Sequence, residues 1–163
     1  MGLSDGEGRS DAEVLEAAGA ALYAAISPRL GPYVAEAVRR QLEAAGRPIG
    51  AREVAAGTAA ARRAEARVLP ALRELLSADV DAQASTPLSL VRRALDEATA
   101  ALDELAVDPP ARDRFLLEAF PADHYGLYPA SIAVFGSEVE ELAITWGAAK
   151  AMAHRRRHQN PQR

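Results

Sequence analysis

Cysteine is absent from this 163-residue chain, which excludes disulfide bonds and metal sites built on thiolates. Only eight residues are aromatic, and the strand-favouring valine, isoleucine and threonine are greatly outnumbered by alanine and leucine. No segment alternates polar and apolar residues with the period of two that is typical of a half-buried strand. No apolar run reaches the ~20 residues of a transmembrane helix, so we predict no membrane span. The composition and the lack of alternating segments together predict an all-α protein. The polar N-terminal sequence MGLSDGEGRS is unlike a secretory signal, so we expect the protein to be cytoplasmic.

The charged residues are unevenly distributed. The formal net charge is −4, and the nineteen basic residues include a single lysine, Lys150. The last thirteen residues, AMAHRRRHQNPQR, carry four arginines and no acidic residue, so the rest of the chain has a net charge of −8. Because an acidic surface repels phosphate backbones, we predict that the folded body does not bind nucleic acid.

Two helices are predicted in the N-terminal third of the chain. The capping box Ser10-Asp-Ala-Glu13 begins the first, because the glutamate can return to the amide of the capping serine. The dipeptide Ser27-Pro28 should end it, and Pro32 suits the first turn of a second helix.

Three longer helices are predicted near residues 51–77, 87–106 and 138–156. Pro70 should kink the first of them or split it in two, because proline lacks the N–H that a helix interior requires. Thr86-Pro87 is a cap followed by proline at the first helical position, which is a strong start signal. The predicted buried stripe of the helix near 51–77 recurs every seven residues: Val54, Ala61, Val68 and Leu75.

The economical organisation is a single helical bundle of five to seven helices, since the chain contains no internal repeat and no low-complexity linker. The domain should span residues 10–154. Residues 1–9 are predicted to be disordered, and residues 155–163 to form a disordered basic tail.

The segment FPADHYGLYPAS, residues 120–131, interrupts the helical pattern with two prolines, a glycine and three aromatic residues. Six of the eight aromatic residues lie between Phe115 and Trp146. The surrounding helices are built of small residues, so we expect these aromatic side chains to fill the core, with the segment acting as an irregular, aromatic-rich lid. The alternative is that they wall a pocket for a small molecule near residues 115–150.

The candidate ligand-binding residues are the polar and aromatic side chains that such a pocket would contain: Asp123, His124, Tyr125, Tyr128, Trp146 and Lys150. No catalytic residue is predicted, because adjacent side chains such as Asp123 and His124 usually diverge, and an orienting carboxylate normally comes from elsewhere in the fold. Asp123 is more simply the cap of a turn. No cofactor is predicted either, since neither glycine-rich phosphate loop, G-x-G-x-x-G nor G-x-x-x-x-G-K-[ST], is present.

The only metal-ligand spacing is that of His154 and His158, which are four residues apart and can share one helical face. They flank Arg155, Arg156 and Arg157, whose positive charges would repel a divalent cation. An E-x-x-H pair, which a di-iron bundle needs, is absent. We therefore predict no metal site.

The segment FPADHYGLYPAS and the later WGAAKA, residues 146–151, are together similar to an actinobacterial family of all-α proteins whose function is unassigned. The similarity extends from STPLSLVRRAL, residues 85–95, through the rest of the chain. It implies that the C-terminal half is a unit, and it implies no activity, cofactor or partner.

The sequence favours a non-enzymatic helical interaction or regulatory protein, because catalytic signatures are missing and small-residue stripes suit helix–helix association. Its partner would be another protein or a second copy of the chain. A domain that binds a small molecule in the aromatic-walled pocket is the second interpretation, and an enzyme is the third.

Overall fold

The computed structural model of this chain describes residues 8–77, 79–81 and 85–159. Within these ranges a short 3-10 turn, Ile132–Phe135, precedes the last helix. None of the described helices is both long enough and apolar enough to cross a membrane. The predicted all-α class is confirmed, with five α-helices and no strand among the described residues: α1 (Asp11–Ala44), α2 (Ala51–Ser77), α3 (Pro87–Glu104), α4 (Arg114–Ala119) and α5 (Ser137–Gln159). The helix α1 contacts α2, α3 and α5, and α2 also contacts α3, so the bundle packs around α1.

The helix α1 is continuous over 34 residues, where the sequence predicts two helices separated at Ser27-Pro28. Pro28 and Pro32 both lie inside it, and both are exposed to solvent. Each internal proline costs about 3 kcal/mol, whereas each buried valine, leucine or isoleucine contributes roughly 1.5–3 kcal/mol. The buried stripe on the opposite face is uninterrupted and therefore outweighs the two prolines: Leu22, Ala25, Ile26, Leu30, Val34, Val38 and Leu42.

The helix α2 is also continuous, although Pro70 lies inside it, and this proline is again on the exposed side. Val54, the first residue of the predicted stripe, is exposed rather than buried. The contact near this end is made instead by Gly57, where an added Cβ would lie 3.7 Å from the carbonyl oxygen of Ala35 and 3.8 Å from the side chain of Val38. The close approach of the two helices thus depends on a glycine, which a pattern of large apolar residues does not reveal.

The helix α3 begins where the sequence predicts, at Pro87, with Thr86 as its N-cap. The Thr86 hydroxyl accepts the backbone N–H of Ser89 at 3.2 Å, and the Ser89 hydroxyl accepts the backbone N–H of Thr86 at 3.2 Å. These two bonds satisfy amides that the first turn of a helix otherwise leaves unpaired.

The aromatic residues do not form the single cluster that the sequence predicts as a lid. Phe115 is 73 % exposed, and the helix α4 that carries it has no buried residue. Tyr33 packs on Phe135 with ring centroids 4.8 Å apart, and Phe120 packs edge-on against Tyr128 at 5.9 Å. Leucine, valine and alanine from α1, α2 and α3 supply most of the core. The structure therefore does not support an aromatic-rich lid, because small and aliphatic side chains fill the interior at close packing without one.

The helix α5 continues through the arginines of the segment 155–163, where the sequence predicts a disordered tail. Arg156 lies 2.6 Å from the carboxylate of Asp11, and Arg157 lies 2.6 Å from that of Asp79. These ion pairs join the end of α5 to the start of α1 and to the segment after α2, which favours the helical conformation. The last four residues, and residues 1–7 of the predicted disordered N-terminus, lie outside the described part of the chain.

Candidate functional site

Asp123 is the polar centre of the segment that follows α4, and it is only 2 % exposed. Its Oδ1 accepts the backbone N–H of Leu127 at 2.7 Å, and its Oδ2 accepts the backbone N–H of Tyr128 at 3.2 Å. The guanidinium of Arg112 lies 3.5 Å from Oδ2 and also donates to the Asp123 carbonyl oxygen. The carboxylate therefore caps a turn, and these contacts bind it to the protein itself rather than leaving it open to a ligand.

The hydroxyl groups of Tyr125 and Tyr128 are held by α3 and the residues just after it. Tyr125 Oη donates to the carbonyl oxygen of Val107 at 2.7 Å, with Asp103 Oδ1 2.9 Å away, and Tyr128 Oη donates to the carboxylate of Asp96. Burial raises the pKa of both phenols above its ordinary value, and the neighbouring carboxylates raise it further. Both tyrosines are therefore neutral hydrogen-bond donors inside the fold.

We expect the free energy of unfolding to fall as the pH rises above about 10, the ordinary pKa of tyrosine. The folded state holds the protons of Tyr125 and Tyr128 more tightly than the unfolded chain does, so alkaline pH favours the unfolded chain. Denaturant titrations from neutral to alkaline pH measure this slope. The double variant Tyr125→Phe/Tyr128→Phe should reduce the slope, because it removes both phenol groups. An equal slope in the double variant and the wild type would contradict the assignment.

The other predicted ligand-binding residues lie apart from this hydrogen-bonded group. His124 is exposed. Trp146 is buried on α5, and the Nζ of Lys150 lies 5.2 Å from the centroid of the indole ring. Among the described residues, no hydrogen bond links Trp146 or Lys150 to the segment that contains Asp123. The six candidates thus do not share one hydrogen-bonded site.

A different surface stands out on the side of α5 opposite to Trp146. Residues there recur every three or four positions, and all of them are exposed to solvent. We call this surface the outer face of α5, and it comprises Glu141, Ile144, Ala148, Met152 and Arg155.

The middle of the outer face is apolar. Ile144 is 65 % exposed and Met152 is 45 % exposed. Lys150 is the only charged residue between Leu142 and Ala153, and it lies on the other side of the helix, beside the indole ring. A surface helix normally places charged residues on its solvent side, and contiguous exposed apolar residues mark interaction sites.

The two ends of the outer face carry opposite charges, with Glu141 at one end and Arg155 at the other. Neither side chain forms an ion pair with another described residue. Two neighbouring charged residues of α5 do form ion pairs. Glu138 pairs with Arg29 at 3.3 Å, and Arg156 pairs with Asp11 at 2.6 Å. Glu138 and Arg156 are therefore paired with other parts of the protein, whereas Glu141 and Arg155 remain available to a partner.

The sequence pattern of α5 places Val139, Leu142, Trp146, Ala149 and Ala153 on one face, and it does not by itself identify the outer face. The signal that reveals it is the near absence of charge over three helical turns. A helix whose outer side faces solvent should carry charged residues at positions 144, 148 and 152, and this helix has Ile, Ala and Met there.

A groove of about 820 Å³ lies elsewhere, between the first half of α1, the end of α2 and the end of α5. Its apolar lining includes Leu15, Tyr23 and Leu76, and Arg157 contributes a charged side chain. None of the six predicted ligand-binding residues lines this groove.

No protein-family model, curated protein or solved structure matches this chain. The similarity to actinobacterial proteins therefore stays a prediction. The function has to be inferred from the geometry described above.

Proposed function

We propose that this chain is a non-enzymatic helical interaction protein that forms a homodimer through the outer face of α5. The observation that supports this most is a face that is apolar in the middle and oppositely charged at its two ends. An isolated chain leaves Ile144 and Met152 in water, whereas an interface removes their apolar surface from water.

An antiparallel pair of α5 helices, related by a twofold axis at Ala148, matches the outer face to itself. Positions equally distant from Ala148 lie opposite each other, so Ile144 of one copy faces Met152 of the other. By the same rule, Glu141 faces Arg155. Every contact occurs twice in a symmetric dimer, so the dimer contains two Glu141–Arg155 pairs. This self-complementarity favours a second copy over an unrelated partner.

Small residues beside the outer face allow the two helices to approach closely. An ideal Cβ placed on Gly147 meets no atom within 4 Å, so the surface there is open. Gly147 and Ala151 lie one turn apart next to Ala148, and small side chains at a helix contact shorten the interaxial distance. The antiparallel arrangement also places the negative end of each helix dipole beside the positive end of the other.

Charge reversal provides the test of this dimer. We expect Glu141→Arg and Arg155→Glu each to weaken association about tenfold, because each juxtaposes like charges twice in the dimer. The double variant Glu141→Arg/Arg155→Glu should regain the affinity of the wild type, since the pair is restored with its signs exchanged. Sedimentation equilibrium over a range of protein concentrations measures all four dissociation constants.

Ala148→Arg is expected to abolish the dimer because it places two like charges at the twofold axis, and Ala66→Arg, at an exposed alanine of α2, is its control. A wild-type chain that stays monomeric at high concentration would refute the homodimer. A dimer that tolerates both single charge reversals, or is not restored in the double variant, would refute this antiparallel pairing.

The contacts of the aromatic segment give less support to a small-molecule pocket near residues 115–150. The polar groups that would recognise a ligand there, on Asp123, Tyr125 and Tyr128, are already bonded to protein atoms. A ligand would have to break these bonds in order to use them.

A further inference from the structure

Three side chains from distant parts of the sequence meet beside the end of α5. Asp81 comes from the segment after α2, and His154 and His158 come from α5. Nε2 of His158 lies 2.8 Å from Oδ1 of Asp81, and Nε2 of His154 lies 3.4 Å from the same oxygen. The two imidazole rings have centroids 4.4 Å apart, and one ligand atom of each residue lies within 4.8 Å of the other two.

We propose that Asp81, His154 and His158 bind a divalent transition-metal ion of the zinc type. Imidazole nitrogen suits zinc, copper, iron and nickel, whereas magnesium and calcium take oxygen ligands. Zinc holds nitrogen and oxygen ligands at about 2.0–2.2 Å, which in a tetrahedral site separates the ligand atoms by about 3.3 Å. The two distances from Asp81 Oδ1, 2.8 and 3.4 Å, lie on either side of that value. Three protein ligands leave the fourth position of a tetrahedral site to water.

The carboxylate of Asp81 is oriented by a second contact. Its Oδ2 lies 3.1 Å from Nη1 of Arg157, and the same nitrogen lies 2.6 Å from Oδ1 of Asp79. This pairing turns Oδ1 toward the two imidazole rings. Carboxylate ligands of metal ions are commonly held by such an outer hydrogen bond.

The arginines between the two histidines do not repel a cation as the sequence suggests. Arg156 is paired with Asp11, and Arg157 is paired with Asp79. Arg155 lies on the outer face of α5, on another side of the helix from the histidines. Arg157 bridges Asp79 and Asp81, so two carboxylates and one guanidinium leave a net negative charge beside the imidazole rings, and this charge attracts a divalent cation. Folding therefore neutralises or turns away the charges that argue against the site in the sequence.

Isothermal titration of the full chain with zinc chloride tests the site, and one ion per chain is the expected stoichiometry. Loss of a group that only orients a metal ligand costs roughly 10–100-fold in affinity. Removal of a ligand, in His154→Ala, His158→Ala or Asp81→Asn, should therefore weaken binding at least about tenfold. The remaining histidine of the chain supplies the matched control, and His124→Ala should bind zinc as the wild type does.

A second measurement makes the result independent of dimer formation. Zinc should raise the melting temperature of the wild type and of Glu141→Arg alike, and should not raise that of the double variant His154→Ala/His158→Ala. Equal zinc affinity in the wild type and that double variant would overturn the proposal. A loss of zinc affinity in His124→Ala as large as that in His154→Ala or His158→Ala would also overturn it.

Discussion

Replacement of Trp146 by alanine is expected to lower the free energy of unfolding by about 3–5 kcal/mol, the usual cost of removing a buried tryptophan. Its indole ring is 8 % exposed and belongs to the hydrophobic core, where it is the largest side chain that α5 contributes. For a chain of this size the loss corresponds to a fall of roughly 10 °C in melting temperature. Denaturant and thermal melts of the purified variant measure both quantities.

Two further variants show whether burial is the cause. The indole N–H of Trp146 is buried without a hydrogen-bond partner among the described residues, so Trp146→Phe removes an unsatisfied donor as well as volume. It should therefore lose less stability than Trp146→Ala. Ile144→Ala, on the outer face of the same helix, should change the stability of the monomer by no more than about 0.5 kcal/mol. A Trp146→Ala protein as stable as Ile144→Ala would show that the indole is not part of the core.

Replacement of Asp123 by alanine is expected to cost about 3–5 kcal/mol, the usual cost of removing one partner from a buried ion pair. The variant leaves the guanidinium of Arg112, which is only 12 % exposed, without its carboxylate. It also leaves the backbone N–H groups of Leu127 and Tyr128 without their acceptor. The turn that positions both tyrosines should therefore loosen along with the ion pair, and a denaturant melt measures the combined loss.

Asp123→Asn provides the intermediate case, because the amide keeps one acceptor oxygen and loses the charge. It should be destabilised by less than Asp123→Ala. Asp108→Ala, at an exposed acidic residue nearby in the sequence, should leave the free energy of unfolding nearly unchanged. A result in which Asp123→Ala and Asp108→Ala are equally mild would mean that solvent reaches the Asp123 carboxylate.

The helices could be predicted from the sequence where local chemistry decides them. The cap at Thr86 and the proline that follows it fix the start of α3 within its own first turn. Pro28 does not end α1, because the effect of a proline depends on which side of the helix faces water, and that is set by packing with other helices. Likewise, Pro70 does not split α2 in two. A stop signal on a solvent-facing side is weaker than the same signal in the core.

The candidate sites depend on contacts that spacing along the chain does not encode. Asp81 is separated from His154 by more than seventy residues, so their meeting requires the packing of α5 against α1 and the ion pairs of Arg157 with the segment after α2. The role of Asp123 as a turn cap could be predicted from the sequence, because an aspartate shortly before a glycine is typical of a turn. Its partner Arg112 could not be predicted, since nothing in the sequence indicates that an arginine eleven residues away will be buried beside it.

The contact of α5 with α1 also fixes an order of events during synthesis. Chains fold as they emerge, starting from the N-terminus, and α1 is made first while α5 is made last. Tyr33 and Arg29 of α1 find Phe135 and Glu138 only after more than a hundred further residues have been added. Until then the side of α1 that α5 covers has no partner, and a nascent chain presents it to chaperones or to other chains. Variants that loosen α5 should therefore lower the yield of folded protein in the cell by more than their effect on the purified protein indicates.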